Sequence, residues 1–158
     1  MKINLQDLEG RWYINQSNFP MWLKGNKANP TFNYTLQEKK GQKGLLDIVQ
    51  YQQNGKTKSI KGYDTVLDAN NRKFMWRGKG LLAMLTSKWE ILHLAPDQSW
   101  AIIYFQKTLF TPNGYDVISR QKKLSLAQEQ AIDTQLKQLN ISTNLVTIQQ
   151  SLLSEKHQ

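Results

Sequence analysis

Short apolar runs alternate with turn signals along most of the chain, and this pattern restricts the fold more than any other feature. It extends from Trp12 to Arg120. Divided among eight strands, that span leaves roughly 13 residues for each strand and its turn, which suits the strands of a barrel. The turn signals are Lys40-Gly41, Asn54-Gly55, Asn70-Asn71, Pro96-Asp97 and Pro112-Asn113-Gly114. The pattern predicts an all-β fold, an eight-stranded antiparallel up-and-down barrel over about residues 10–120.

The chain changes character after the last predicted barrel strand. Ser125-Leu126-Ala127-Gln128 has the form of a capping box, in which the serine and glutamine side chains bond reciprocally to backbone amides. Ile132, Leu136 and Leu139 then follow at helical spacing on one stripe. We therefore predict a helix over about 125–139 packed on the outside of the barrel, and a short final strand over about 144–148. The 158 residues are predicted to form a single domain.

Residues 14–30 are rich in Asn, Gly and Pro and interrupt the strand pattern after the first strand. They predict a long loop that carries Trp22. Long loops in compact domains are commonly functional. We expect this one to lie over the mouth of the barrel.

The chain is basic, with 21 Lys and Arg against 12 Asp and Glu and a net charge of +9. The lysines cluster at turns, at Lys39, Lys40 and Lys43 and at Lys56, Lys58 and Lys61. This placement favours a solvated surface, with a weak attraction to an anionic ligand or membrane surface as the alternative. The sequence carries no signature of a nucleic-acid-binding fold, so we expect no nucleic-acid partner.

Cysteine is absent, which excludes disulfides, thiolate metal sites and a cysteine nucleophile. The first residues lack the apolar run of a secretory signal, so a cytoplasmic location is expected. No metal-ligand spacing or cofactor fingerprint occurs. We therefore predict neither a metal nor a cofactor.

Three segments carry a resemblance to a known family. They are Gly10-x-Trp12 at the start of the first strand, Pro96-Asp97-Gln98-Ser99-Trp100-Ala101, and Arg120 after the last strand. With them the chain resembles the lipocalins, members of the calycin superfamily, and is most similar to bacterial lipocalin-like domain proteins. The resemblance implies that Trp12 and Arg120 form a structural pair at the closed end of the barrel, with Gly10 providing backbone room. In the second segment, Pro96 stands where the family usually has threonine.

The resemblance also implies a function, the binding and carriage of a small hydrophobic or amphipathic molecule of the fatty acid or lipid class. Aromatic walls with a few hydroxyl groups suit such a ligand. The predicted lining residues are Trp22, Tyr34, Tyr63, Trp76, Trp89, Ile91, Ile102 and Tyr104. Arg77 lies between Trp76 and Gly78, and we predict that it binds an anionic headgroup at the barrel mouth.

Two other function classes stay open from the sequence. The first is a scaffold with a filled barrel, because Leu81-Leu82-Ala83-Met84-Leu85 cannot all face inward and would form an exposed patch or a homodimer interface. The protein is accordingly expected to be a monomer or a homodimer. The second is an isomerase or hydrolase acting inside the barrel. No catalytic constellation supports it, since His93 and His157 stand alone and Asp64 and Asp116 each follow a tyrosine that points to the opposite strand face.

Overall fold

The computed structural model describes residues 1–151. Within them, eight antiparallel strands follow one another around a closed ring, and the ring closes because β1 pairs with both β2 and β8. The strands are β1 (Gly10–Ser17), β2 (Ala28–Lys39), β3 (Gln42–Gln53), β4 (Lys56–Val66), β5 (Lys73–Gly78), β6 (Thr86–Leu94), β7 (Trp100–Phe105) and β8 (Gly114–Ser119). This confirms the predicted barrel.

The two tightest hairpins are the ones that carry glycine in a two-residue turn. Lys40-Gly41 joins β2 to β3, and Asn54-Gly55 joins β3 to β4. All four residues have positive φ, with values of 52° and 78° in the first turn and 53° and 74° in the second. These are the conformations that a type I′ turn requires and that glycine and asparagine adopt most readily.

The helix and the last strand lie outside the ring, as predicted. α2 (Leu126–Gln138) begins at Ser125 with the capping box formed on both sides. Ile132 on α2 is fully buried and packs with Trp100, Ile102 and Val117 from the outer faces of β7 and β8. The final strand, β9 (Val146–Thr147), pairs with β1.

The predicted loop after β1 is shorter than the sequence pattern suggested. β1 and β2 both extend into the Asn-rich region, so the connection spans residues 18–27. It contains one helical turn, α1 (Pro20–Leu23), which begins with proline at its first position. No helix of residues 1–151 is long and apolar enough to cross a membrane.

Candidate functional site

The open end of the barrel contains a cavity of about 260 Å³. Its walls come from the inner faces of the strands, from α1 and its flanking residues, and from the loops after β5 and β7. Most of the lining side chains are apolar or aromatic. They are Phe19, Met21, Trp22, Phe32, Val49, Ile60, Trp76, Leu85, Trp89, Phe105 and Phe110, joined by Ser87, Thr108, Thr111, Asp47 and Asp116.

A stack of aromatic rings forms the floor of the cavity. The Trp89 ring lies 4.3 Å from Phe74 and 6.0 Å from both Tyr34 and Phe105, measured between ring centroids. The Trp89 Nε1–H donates a hydrogen bond of 3.0 Å to Asp64 Oδ1. Stacked and hydrogen-bonded rings hold this floor in place.

Three aspartates point into the barrel interior from β3, β4 and β8. Asp47, Asp64 and Asp116 are 4%, 0% and 1% exposed. Asp47 and Asp116 line the cavity, whereas Asp64 lies beneath Trp89. Within residues 1–151, one carboxyl oxygen of each has no hydrogen-bond partner: Asp47 Oδ1, Asp64 Oδ2 and Asp116 Oδ1. Buried polar atoms without a protein partner are uncommon, so these three oxygens are candidate hydrogen-bond acceptors for a bound molecule or an ordered water.

Burial changes the protonation of these carboxyl groups. It raises the pKa of Asp116 to about 7, against the opposing effect of a hydrogen bond with Ser17 on β1. Burial also raises the pKa of Asp47 to about 6. The pKa of Asp64 is well above its usual range because of burial, the Asp47 charge and a hydrogen bond with Asp47. Asp47 and Asp64 therefore each keep a proton to a higher pH than a free aspartate does.

The closed end is built around Trp12. The Arg120 guanidinium carbon lies 3.8 Å from the centroid of the Trp12 ring, and its nitrogens donate to the carbonyls of Asp7 and Arg11. Gly10 has a φ of 101°, and a Cβ atom there would lie 3.1 Å from Arg120 Nη1. These contacts close the barrel below the aromatic floor, so ligand access is restricted to the other end.

Comparisons with known proteins support the architecture. No protein-family model and no curated protein sequence matches this chain. Solved structures do match. Insecticyanin from the tobacco hornworm Manduca sexta aligns with a TM-score of 0.72 at 12% identity, over 96% of this chain and 82% of its own. Lobster apocrustacyanin A1 aligns with a TM-score of 0.67 at 15% identity, over 94% and 80%.

A third match is the siderocalin Ex-FABP, described as functioning through dual ligand specificities. It aligns with a TM-score of 0.67 at 14% identity, over 94% of this chain and 97% of its own. The chain has the lipocalin fold. At these identities the likeness establishes the fold alone. The resemblance inferred from Gly10, Trp12 and Arg120 is thereby confirmed for the lipocalin architecture.

Five of the predicted lining residues lie inside the lipocalin barrel. Trp22, Trp76 and Trp89 line the cavity. Tyr34 and Ile91 are buried in the core below it, where Tyr34 stacks on Trp89. Whether they contact a ligand stays a prediction.

Four other residues that were predicted to contact the ligand lie outside the cavity, so their predicted positions are wrong. Ile102 packs under α2, and Tyr104 faces outward beside Tyr115, 5.1 Å away between ring centroids. Tyr63 donates to the Gln37 carbonyl. Arg77 is exposed and donates to the Ala83 carbonyl at 2.9 Å. The physical reason is strand alternation, because each is next in sequence to a residue whose side chain points inward.

The predictions missed the buried aspartates as site residues. Asp64 and Asp116 follow Tyr63 and Tyr115 in sequence, and the side chains of those tyrosines lie on the outer face of the barrel. A usable signal was present in Leu45-x-Asp47-x-Val49. In this segment the aspartate lies on the same strand face as buried Leu45 and partly buried Val49.

Two other features of the described chain are less suited to be the site. A larger concavity of about 620 Å³ lies outside the barrel between α2 and β9, and its lining is mainly polar and charged. His93 packs beside Trp100, outside the cavity, and burial together with Arg72 lowers its pKa.

His157 lies outside the described residues. Within residues 1–151, no cluster of His, Asp and Glu is arranged to hold a metal ion.

Proposed function

We propose that this lipocalin barrel binds and carries one small hydrophobic molecule in the cavity at its open end. The observation that carries the proposal is that the barrel is not filled by its own side chains. Some 260 Å³ of space stays open above the aromatic floor. Burial of apolar ligand surface there provides about 25 cal/mol per Å² of binding free energy.

The composition of the lining favours some ligand classes over others. Two carboxyl groups line the cavity, and its lining residues within the described chain include neither Lys nor Arg. Arg77, predicted to bind an anionic headgroup, is exposed on the outer face. A carboxylate ligand would therefore face two carboxyl groups without a cationic partner. The cavity suits an uncharged apolar body better than a fatty-acid anion.

A substitution that fills the cavity tests the proposal. Val49 on β3 lines the cavity, whereas its neighbour Ile48 lies on the opposite phase of the strand. We expect Val49→Trp to lower the affinity for a neutral apolar dye such as phenylnaphthylamine at least tenfold, because the indole occupies the ligand volume. The dye's fluorescence enhancement, titrated at constant protein concentration, measures this.

Ile48→Trp is the matched control, since it adds the same side chain outside the barrel. Ser87→Phe, which fills the cavity from β6, gives a second inward variant if Val49→Trp folds poorly. Equal dye affinity in the inward and outward variants, with all of them folded, would refute binding in the cavity.

A further inference from the structure

Asp116 differs from the other two interior carboxyl groups. Asp47 and Asp64 lie within hydrogen-bonding reach of each other, whereas among residues 1–151 the hydrogen-bonding side chain beside Asp116 is the hydroxyl of Ser17. Its Oδ1 has no partner among the described residues, and its side chain is 1% exposed while it lines the cavity. A carboxyl oxygen on an apolar wall costs free energy unless something donates to it.

We infer that the ligand of this cavity is an amphipathic molecule with a protonated amine, whose nitrogen donates to Asp116. This inference rests on the proposed function and names the class of ligand. An ammonium group offers three donors and no acceptor, and its hydrogen bonds to a carboxylate are among the stronger ones in proteins.

The surroundings of Asp116 suit a cation in two further ways. The rings of Phe19, Trp89 and Phe105 line the same cavity. The distance between ring centroids is 5.4 Å for Phe19 and Phe105 and 6.0 Å for Trp89 and Phe105. Aromatic faces attract ammonium groups. In addition, the Asp47–Asp64 pair places a second source of negative charge in the interior. The apolar remainder of the ligand then packs on the aromatic walls.

Within residues 1–151, few other ionisable groups face the barrel interior. They are Tyr34 on β2, Asp47 on β3, Asp64 on β4 and the Arg120 guanidinium at the closed end. Arg120 is held over Trp12 and bonded to backbone carbonyls. It closes the bottom of the barrel and is not among the residues that line the cavity. Asp116 is thus the interior acid best placed to pair with a ligand.

Three ligands with the same alkyl chain separate this inference from the proposed function. Octylamine, octanol and octanoate are titrated into the protein at pH 8 by calorimetry. We expect octylamine to bind roughly tenfold or more tightly than octanol, since a hydrogen bond to a charged group contributes that much. Octanoate is expected to bind most weakly. Asp116→Asn should remove the advantage of the amine, so that octylamine and octanol then bind about equally.

Asp133→Asn is the matched control, because Asp133 is exposed on α2 and the substitution changes the charge equally. The preference for octylamine should also fall on the order of tenfold from pH 8 to pH 6, as Asp116 takes up a proton while the amine stays charged.

Equal affinity for octylamine and octanol, or tightest binding of octanoate, would overturn the amine inference and leave hydrophobic carriage standing. An equal loss of octanol and octylamine binding in Asp116→Asn would also overturn it. Failure of all three ligands to bind would count against the proposed function itself.

A separate observation concerns the rim of the open end, which we define as residues 18–27, 54–56, 79–85 and 106–113. These are the connections at the same end of an up-and-down barrel, together with Lys56, the first residue of β4. They carry large apolar side chains in solvent: Leu23 at 40%, Leu81 at 102%, Met84 at 90%, Leu109 at 96% and Phe110 at 78% exposed. The exposed apolar patch predicted for Leu81–Leu85 is therefore part of a wider one.

The charge on this rim has one sign. Exposed lysines stand among the apolar residues at Lys24, Lys56, Lys79 and Lys107, and the rim contains neither Asp nor Glu. Apolar tips that insert between lipids, together with lysines at the level of the headgroups, match an anionic bilayer. We propose that the rim docks on a lipid surface with anionic headgroups, with the cavity mouth facing the lipids.

Vesicle flotation tests the docking. We expect the protein to bind vesicles of phosphatidylcholine with phosphatidylserine at least tenfold better than vesicles of phosphatidylcholine alone, with a decline at high salt. Leu81→Asp combined with Leu109→Asp should abolish binding. Leu126→Asp is the control, because Leu126 is 78% exposed on α2, away from the rim.

Equal vesicle binding by the rim and control variants would overturn the proposal. The proposal would also be overturned if the wild-type protein is a dimer that does not bind vesicles and the rim variant is a monomer. The patch would then join two copies of the chain.

Discussion

Trp12→Ala is expected to lower the free energy of unfolding by about 3–5 kcal/mol, the cost of removing a buried tryptophan from a core. Trp12 is fully buried at the closed end. Its Nε1–H donates to the Leu8 carbonyl at 2.9 Å, and its ring supports the Arg120 guanidinium. The substitution therefore opens a void and removes the surface on which Arg120 lies. Many domains of this size are stable by only about 5–15 kcal/mol in total.

Urea unfolding followed by circular dichroism measures the change. Leu81→Ala serves as the control, because a side chain with 102% exposure contributes little to the folded state. Its effect should stay within about 0.5 kcal/mol. A loss of less than about 1 kcal/mol in Trp12→Ala would contradict the role assigned to this residue in closing the barrel.

Asp116→Asn is expected to stabilise the ligand-free protein at pH 8. The folded-state pKa of Asp116 is about 7, against 3.8 for the free side chain. Between these values the folded state holds a proton that the unfolded state has released, so stability falls as pH rises from about 4 to about 7. Three pKa units correspond to a loss on the order of 4 kcal/mol. Asparagine cannot ionise and avoids this loss.

The measurement is the free energy of unfolding from urea curves at pH 5 and pH 8, for both chains without ligand. We expect the difference between the two pH values to be smaller in Asp116→Asn. In the variant, stability still falls with pH to some extent, because burial raises the pKa values of Asp47 and Asp64 as well. Parallel pH profiles for the two chains would show that Asp116 is not ionising in an apolar site. A stabilising substitution that removes amine binding would be typical of a functional residue.

The barrel could be predicted because local sequence patterns indicate its turns and the number of its strands. The lining was only partly predictable, for a reason visible in two strands. In Lys88-Trp89-Glu90-Ile91 polar and apolar residues alternate, and the inward side chains were identified correctly. Trp100–Phe105 is apolar on both faces because α2 covers the outer one. Alternation then does not show which side chains point inward, and for this reason the prediction that Ile102 lines the cavity is wrong.

The acidic residues were missed for the opposite reason. A charged residue in a strand normally marks the solvent face. Asp47, Asp64 and Asp116 break that rule, and local sequence patterns alone did not reveal that three separate strands bring them to one interior. Such exceptions to patterning are expected where a protein has a function to perform.

A crystal structure of the protein grown with octylamine tests most directly whether one small molecule lies inside the barrel. We expect the alkyl chain between the faces of Trp76, Trp89 and Phe105, with the nitrogen about 2.7–2.9 Å from an Asp116 oxygen. An interior closed by repacked side chains at saturating octylamine, or a ligand found only in the groove between α2 and β9, would contradict the account.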